Sequence, residues 1–192
     1  MSILEQLEQI KPATMLSLVP AAVYADVQGT QYEWAPVQHS WYYAVAKLFK
    51  PASILEIGVM HGQSLAAMLL GAGQCIGEGW DTEGYEPGSN AVAIFNLKLC
   101  GLENRSAIFK RDSQKETRLP AFDLIHVDGE HSYNGAMHDL LMAARSAKLI
   151  LFDDIFHLPD CKRALADFMA SPKVELLCEI PTQTGMALIK VK

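Results

Sequence analysis

Four short stretches carry residues able to do chemistry. Asp128-Gly129-Glu130-His131-Ser132-Tyr133 gathers two carboxylates and an imidazole at the end of an apolar-rich run, Ala121 to Val127. Carboxylate and imidazole side by side can move a proton, and carboxylates together can hold a hard cation. Asp153-Asp154 closes another apolar run, Leu149-Ile150-Leu151-Phe152. A third run, Ser53 to Ile57, contains Glu56 and opens into Gly58-Val59-Met60-His61-Gly62-Gln63-Ser64. Glycines let backbone approach a ligand closely, and a helix N-terminus behind them offers free N–H groups. The spacing is not the dinucleotide G-x-G-x-x-G, which would need glycine at Met60, and no Gly-Lys-Ser/Thr follows to make a P-loop. Asp81 stands about 20 residues beyond the turn, the offset at which an acid meets ribose hydroxyls in nucleotide-binding βαβ units. A glycine pair alone reads as an ordinary strand-to-helix turn; Glu56 and Asp81 weigh against that.

These groups need strands that end at one rim. The pattern predicts strands over Ser53–Ile57, 74–80, 107–110, 121–127 and 148–152, separated by helices, which argues a parallel sheet. The helices are expected from 37 to 49, from Leu65 to Leu70 closed by Gly71, from Ala91 to Cys100 capped by Ser89 or Asn90, after Ser132, and from an Asp160 cap to about Ala170. Val174–Ile180 and Met186–Val191 are joined by five residues, so they pair antiparallel. Ahead of all this, Ile3, Leu4, Leu7 and Ile10 repeat at helical spacing as far as Pro12. Residues 12–36 hold Gly29, Tyr24, Tyr32 and Trp34, a packed arm by composition. The organisation is thus an N-terminal helix and arm over 1–36 and one α/β domain over 37–192. In open α/β sheets ligands sit at the carboxyl ends of the strands, where every acid named above falls.

Half of the 192 residues are hydrophobic, enough for one domain with a full core. The 16 Lys and Arg against 22 Asp and Glu give a net charge of -6 with no basic run, which disfavours nucleic acid and anionic membrane as partners. Cys75, Cys100, Cys161 and Cys178 form no C-x-x-C pair and read as reduced packing residues. With neither a signal peptide nor a spanning apolar run in view, a cytoplasmic location is expected. His61 reads as a solvated loop histidine, and His39, His126, His138 and His157 receive no role.

Taken together, Glu56-x-Gly58-x-x-x-Gly62-x-Ser64, Asp81, Asp112-Ser113, the packet Val127 to Tyr133 and Phe152-Asp153-Asp154 resemble a class I S-adenosylmethionine-dependent methyltransferase. More narrowly, residues 37 to 192 are similar to the small macrocin O-methyltransferase and cephalosporin-hydroxylase-like proteins. The resemblance implies a Rossmann-like sandwich: a seven-stranded, mostly parallel sheet with an antiparallel last strand and helices on both faces. It implies that Glu56, Gly58, Gly62 and Ser64 face the methionine part of the cofactor. Asp81 would hold the ribose, Asp112 and Ser113 would lie by the adenine, and Asp128 would border both cofactor and metal. In metal-dependent relatives the matching positions, Asp128, Asp153 and Asp154, hold Mg²⁺ or Mn²⁺. Without an ion, one of three such carboxylates should take up a proton.

The expected reaction is methyl transfer to a hydroxyl of a small molecule, with Glu130 or His131 taking the proton. His131 could instead orient the helix start and touch the cofactor. Three protein ligands leave room for two substrate oxygens, so a vicinal diol or catechol-like acceptor is the natural guess. A metal-independent methyltransferase and a non-catalytic cofactor-binding partner subunit stay open beside this reading. No insertion forms a lid. Either the N-terminal arm covers the acceptor, within the chain or across a homodimer, or the site is open to a large acceptor.

Overall fold

The computed structural model describes residues 1–24 and 34–192. Gly29 and Tyr32 of the arm lie outside the described residues. The sheet is built from β1 (Ser53–Ile57), β2 (Ile76–Asp81), β3 (Ser106–Lys110), β4 (Phe122–Val127), β5 (Ala147–Phe152), β6 (Val174–Ile180) and β7 (Met186–Val191). Its order is β3-β2-β1-β4-β5-β7-β6. The first five strands run parallel, and β7 pairs antiparallel with both β5 and β6. The helices are α1 (Ile3–Ile10), α2 (Ala35–Phe49), α3 (Gln63–Ala72), α4 (Ser89–Leu99), α5 (Tyr133–Ala143) and α6 (Pro159–Phe168). The strand order reverses between β1 and β4, and the crevice above those two ends is where this topology admits a ligand.

Alternation along the strands sorts the core into two layers. Ile54, Leu124, Leu151 and Leu188 pack with Val45, Leu65 and Met68 on the α2–α3 side. Leu7, Met15, Val19, Val23 and Tyr24 join that layer, so the described part of the arm is buried in the same core as α2. Leu55, Ile125, Ile150 and Ile189 pack with Leu140, Leu165 and Phe168 of α5 and α6 on the other side. Among the described residues no helix is long and apolar enough to cross a membrane.

Three helix ends differ from expectation, each for a local reason. Gly71 lies inside α3, and Gly73, at φ +76°, caps it instead. A Cβ on Gly71 would come within 2.2 Å of the Tyr43 carbonyl oxygen, so this glycine serves the close approach of α2 and α3. Gly71→Ala is therefore expected to lower stability by about 2 kcal/mol in urea titration, although alanine is the better helix former. The cap of α4 is Gly88, at φ +91°, and Ser89 and Asn90 are already helical. The cap of α6 is Leu158, with Pro159 in the first turn; Asp160 is an acid of that turn and accepts the Tyr133 N–H at 3.2 Å.

Candidate active site

The glycine turn after β1 is pinned from two sides. Gly58 and Val59 donate their N–H groups to the Trp80 carbonyl at 2.8 and 3.2 Å, and Met60 donates to the Asp81 carboxylate at 2.9 Å. Asp81 also takes the Glu83 N–H at 2.6 Å, so it closes the β1 and β2 turns together. Gly58 sits at φ +87°, and a Cβ there would stand 1.9 Å from the Asp128 carbonyl oxygen. Only glycine lets the β1 turn pass so close to the end of β4. Met60 and Asp154 have positive φ without being glycine, and both border this crevice. Non-glycine residues held in that region cluster at ligand sites.

Above these turns lies a cavity of about 550 Å³. Its wall includes Gly58, Met60, Trp80 and Asp81 from the ends of β1 and β2, and Asp112, Ser113 and Gln114 after β3. Asp128, Gly129, Glu130, His131 and Asp154 line the other side. Arg111 is stacked 4.0 Å over the Trp80 ring and paired with Glu116 at 2.7 Å, so its charge is spent on the wall. The remaining lining is strongly acidic.

Of the residues singled out from sequence, Gly58, Asp81, Asp112, Ser113, Asp128, Glu130, His131 and Asp154 meet at this cavity. Glu56, Gly62, Ser64 and Asp153 do not line it. Gly62 packs against Ala93 of α4, its absent Cβ falling 3.1 Å from that methyl. Ser64 turns inward and donates its hydroxyl to Glu56. Glu56 is fully buried behind the wall, where it also accepts His126 Nδ1–H at 2.8 Å. Glu56 and Ser64, expected to face the cofactor, thus lie behind the cavity wall and below the turn.

The acids after β4 and β5 divide into two groups. His131 Nε2 lies 3.4 Å from Asp128 and 3.2 Å from Asp154, and these three donor sets converge within 4.8 Å. Asp153 points the other way. It accepts the hydroxyl of Tyr42, that of Thr184 at 2.7 Å and the Asp154 N–H at 2.7 Å, so both its oxygens are taken. His126, Asp128 and Asp153 form a second convergent set, deeper in the molecule. His126 Nε2 is 3.9 Å from Asp153.

This crowding sets the protonation. Burial pushes the Asp128 carboxyl up to about 7, opposed by the His131 hydrogen bond and reinforced by the Asp153 charge. Burial and Asp153 also raise Asp154. The Asp128 hydrogen bond raises His131. Burial works against a charged His126, but its bonds to Asp153 and Glu56 outweigh that and lift it to about 10. Asp153 is held low: burial opposes its charge, and His126, Tyr42 and Thr184 overcome the penalty.

Two histidines were underrated by sequence reasoning. His61, expected to be solvated, is 3 % exposed, with Nε2 3.1 Å from Glu86. His126, given no role, links Glu56 to Asp153 under the site. The available signal was its place two residues before Asp128, which puts both side chains on one face of β4.

A family model described as a methyltransferase domain matches residues 55–155. No curated protein matches the chain. Among solved structures, the SAH-bound methyltransferase PaMTH1 of Podospora anserina is 22% identical, with 98% of this chain and 86% of that one covered and a TM-score of 0.66. An O-methyltransferase from Bacillus cereus in complex with SAH is 17% identical over 98% and 90%, with a TM-score of 0.66. TomG from Streptomyces achromogenes, an O-methyltransferase involved in tomaymycin synthesis and solved with SAM, is 14% identical over all of both chains, with a TM-score of 0.69. At these identities the likeness is one of fold.

Proposed function

The chain belongs to the methyltransferase-domain family, and from that premise we propose that it transfers the methyl group of S-adenosylmethionine to a hydroxyl of a small molecule with the help of a divalent cation. The convergence of Asp128, His131 and Asp154 beside the glycine turn carries this reading. The two carboxylates suit Mg²⁺ or Mn²⁺, and the raised carboxyls of Asp128 and Asp154 are what a cation would relieve. Asp153, expected as a third ligand, would serve from behind, because Tyr42 and Thr184 already hold its oxygens.

In this reading Asp81 accepts from the ribose hydroxyls, and Asp112 and Ser113 border the base. Gly58 keeps the turn low enough for the cofactor to pass. A bound cation would lower the pKa of an acceptor hydroxyl and fix its direction. With His131 turned to the ion, Glu130 is the wall carboxylate left to take the acceptor proton. One of its oxygens accepts the Ser132 N–H at 3.1 Å, which holds the side chain at the cavity edge. Alignment of donor and acceptor would supply much of the remaining rate. A vicinal diol or catechol-like acceptor would offer two oxygens to an ion held there, and a neutral acceptor suits the acidic lining.

A second reading has an observation of its own. His131 bridges Asp128 and Asp154 as an imidazolium would, offsetting part of their charge without any ion. Dialysis against EDTA separates the two. The metal-assisted reading expects activity on a catechol or vicinal-diol panel to vanish and to return with Mg²⁺ or Mn²⁺. Undiminished turnover would favour the metal-independent enzyme. Binding without any S-adenosylhomocysteine formed would favour a non-catalytic cofactor-binding subunit.

The pH dependence gives an independent check. A cation needs Asp128 deprotonated, and the folded carboxyl titrates near 7, above its ordinary value. Protons therefore compete with the ion at Asp128 below that pH, and at His131, whose pKa is raised as well, they compete further up. Mn²⁺ affinity measured by calorimetry is expected to climb at least about tenfold per pH unit below about 7 and to level off only once His131 has lost its proton as well.

A further inference from the structure

The turn Ser113–Lys115, which brings Ser113 and Gln114 to the cavity, is fastened to α5 by a side chain outside every motif above. Asp139 is fully buried. Its Oδ1 accepts the Gln114 Nε2–H at 2.9 Å. Its Oδ2 has no partner among the described residues. That oxygen lies 3.4 Å from where a Cβ on Gly129 would project, directly behind the cavity wall. The turn has other supports: Asp112 caps it through the Gln114 N–H at 3.0 Å, and His138 Nε2 donates to the Ser113 carbonyl at 3.1 Å. A carboxylate with a spare buried oxygen is more than the turn needs to fold.

What the carboxylate does is remove a choice. A glutamine amide has a donor end and an acceptor end of nearly equal shape, and its partner decides which way it lies. An ionised aspartate only accepts. Together with the Gly135 carbonyl, 3.4 Å from the same nitrogen, it holds the NH₂ end of Gln114 inward, which turns the carbonyl Oε1 away toward the cavity that Gln114 lines. A fixed acceptor there complements an exocyclic amino group, as on adenine, and opposes a base carrying oxygen at the same position. Burial raises the Asp139 carboxyl to about 6, with the Ser113 hydroxyl pulling it back, so it is ionised at neutral pH.

We propose that Asp139 is a positioning residue that sets the base preference of the nucleotide end of the cavity, by locking the Gln114 amide with its carbonyl toward the purine amino group. This rests on the reading that the cavity takes S-adenosylmethionine. An asparagine at 139 would offer a donor as well as an acceptor, and the lock would be left to the longer Gly135 contact with little change in shape.

The test is calorimetry on the whole chain with two ligands, S-adenosylhomocysteine and its 6-oxo analogue S-inosylhomocysteine. The wild type is expected to prefer the adenine ligand at least about tenfold, the size of one well-placed polar discrimination. Asp139→Asn should lose most of that preference, mainly through weaker adenine binding, while kcat at saturating cofactor stays within about twofold. Gln114→Leu should lose the same preference, and the double variant should lose no more than either single one. If Asp139→Asn does not fold, Asp139→Ser removes the carboxylate and is measured in its place. Undiminished preference in the folded variant would overturn the proposal. A wild type that binds neither ligand would instead overturn the cofactor reading beneath it.

Discussion

Gly58→Ala is expected to abolish cofactor binding and to destabilise the chain by about 3 kcal/mol, combining a left-handed backbone with an overpacked contact. The contact is backbone against backbone. A methyl at 58 would lie 1.9 Å from the Asp128 carbonyl oxygen and 2.5 Å from its carbon, so no side chain can rotate away to make room. Relief requires the β1 turn to lift off the end of β4, which displaces Asp128 and the Met60 N–H that Asp81 holds. Gly129→Ala is the control. Its methyl would meet the Ile57 Cγ2 at 2.9 Å, a side-chain methyl and not backbone, so this variant should lose less stability than Gly58→Ala and keep part of its affinity. Urea unfolding and S-adenosylhomocysteine titration of both variants check the contrast. Equal behaviour would mean that the two strand ends are not locked together at Gly58.

Asp128→Asn should have the second large effect, and it should separate activity from stability. Asp128 faces His131 and Asp154 on one side and the set with His126 and Asp153 on the other. Removing its charge is expected to cut methyl transfer at least about a hundredfold and to remove the Asp128 part of the pH-dependent rise in Mn²⁺ affinity. Stability should move the other way. The folded carboxyl titrates near 7, above its unfolded value, so above that pH folding carries the cost of a buried charge that the unfolded chain lacks. Asparagine removes that cost. At pH 8 the variant should therefore unfold at the wild-type temperature or higher, while being nearly inactive. A variant destabilised at pH 8 would show that the Asp128 charge supports the fold.

The sheet was legible because its strands are apolar runs of the right length that stop at acids or glycines. The closing hairpin, Val174–Ile180 and Met186–Val191, stands where its pattern placed it, since a five-residue loop leaves no room for a crossover. The cavity wall was legible for the same reason: Asp81, Asp112, Asp128 and Asp154 each stand at a strand end or within two residues after it, and parallel strands end on one rim. What lies behind the wall was not. Glu56 and His126 meet because β1 and β4 are neighbours in register, a pairing of residues 70 apart that no local pattern records. Tyr42 reaches Asp153 from a helix that reads simply as an apolar face. Asp153 and Asp154 look equivalent in sequence, yet the positive φ at Asp154 turns one to the cavity and leaves the other among the hydroxyls of Tyr42 and Thr184. Asp139 was hidden by the same kind of distance, since its partner Gln114 comes from another unit of the fold.

The account stands on the acidic rim and glycine turn gripping a sulfonium nucleotide. Titration of S-adenosylmethionine into the 192-residue chain, followed by calorimetry, tests this most directly. The predicted result is saturable binding at one site per chain, weakened at least about tenfold by Asp81→Ala, which strips the acceptor placed for the ribose. Absence of heat at millimolar ligand, with no shift in the unfolding temperature, would contradict it.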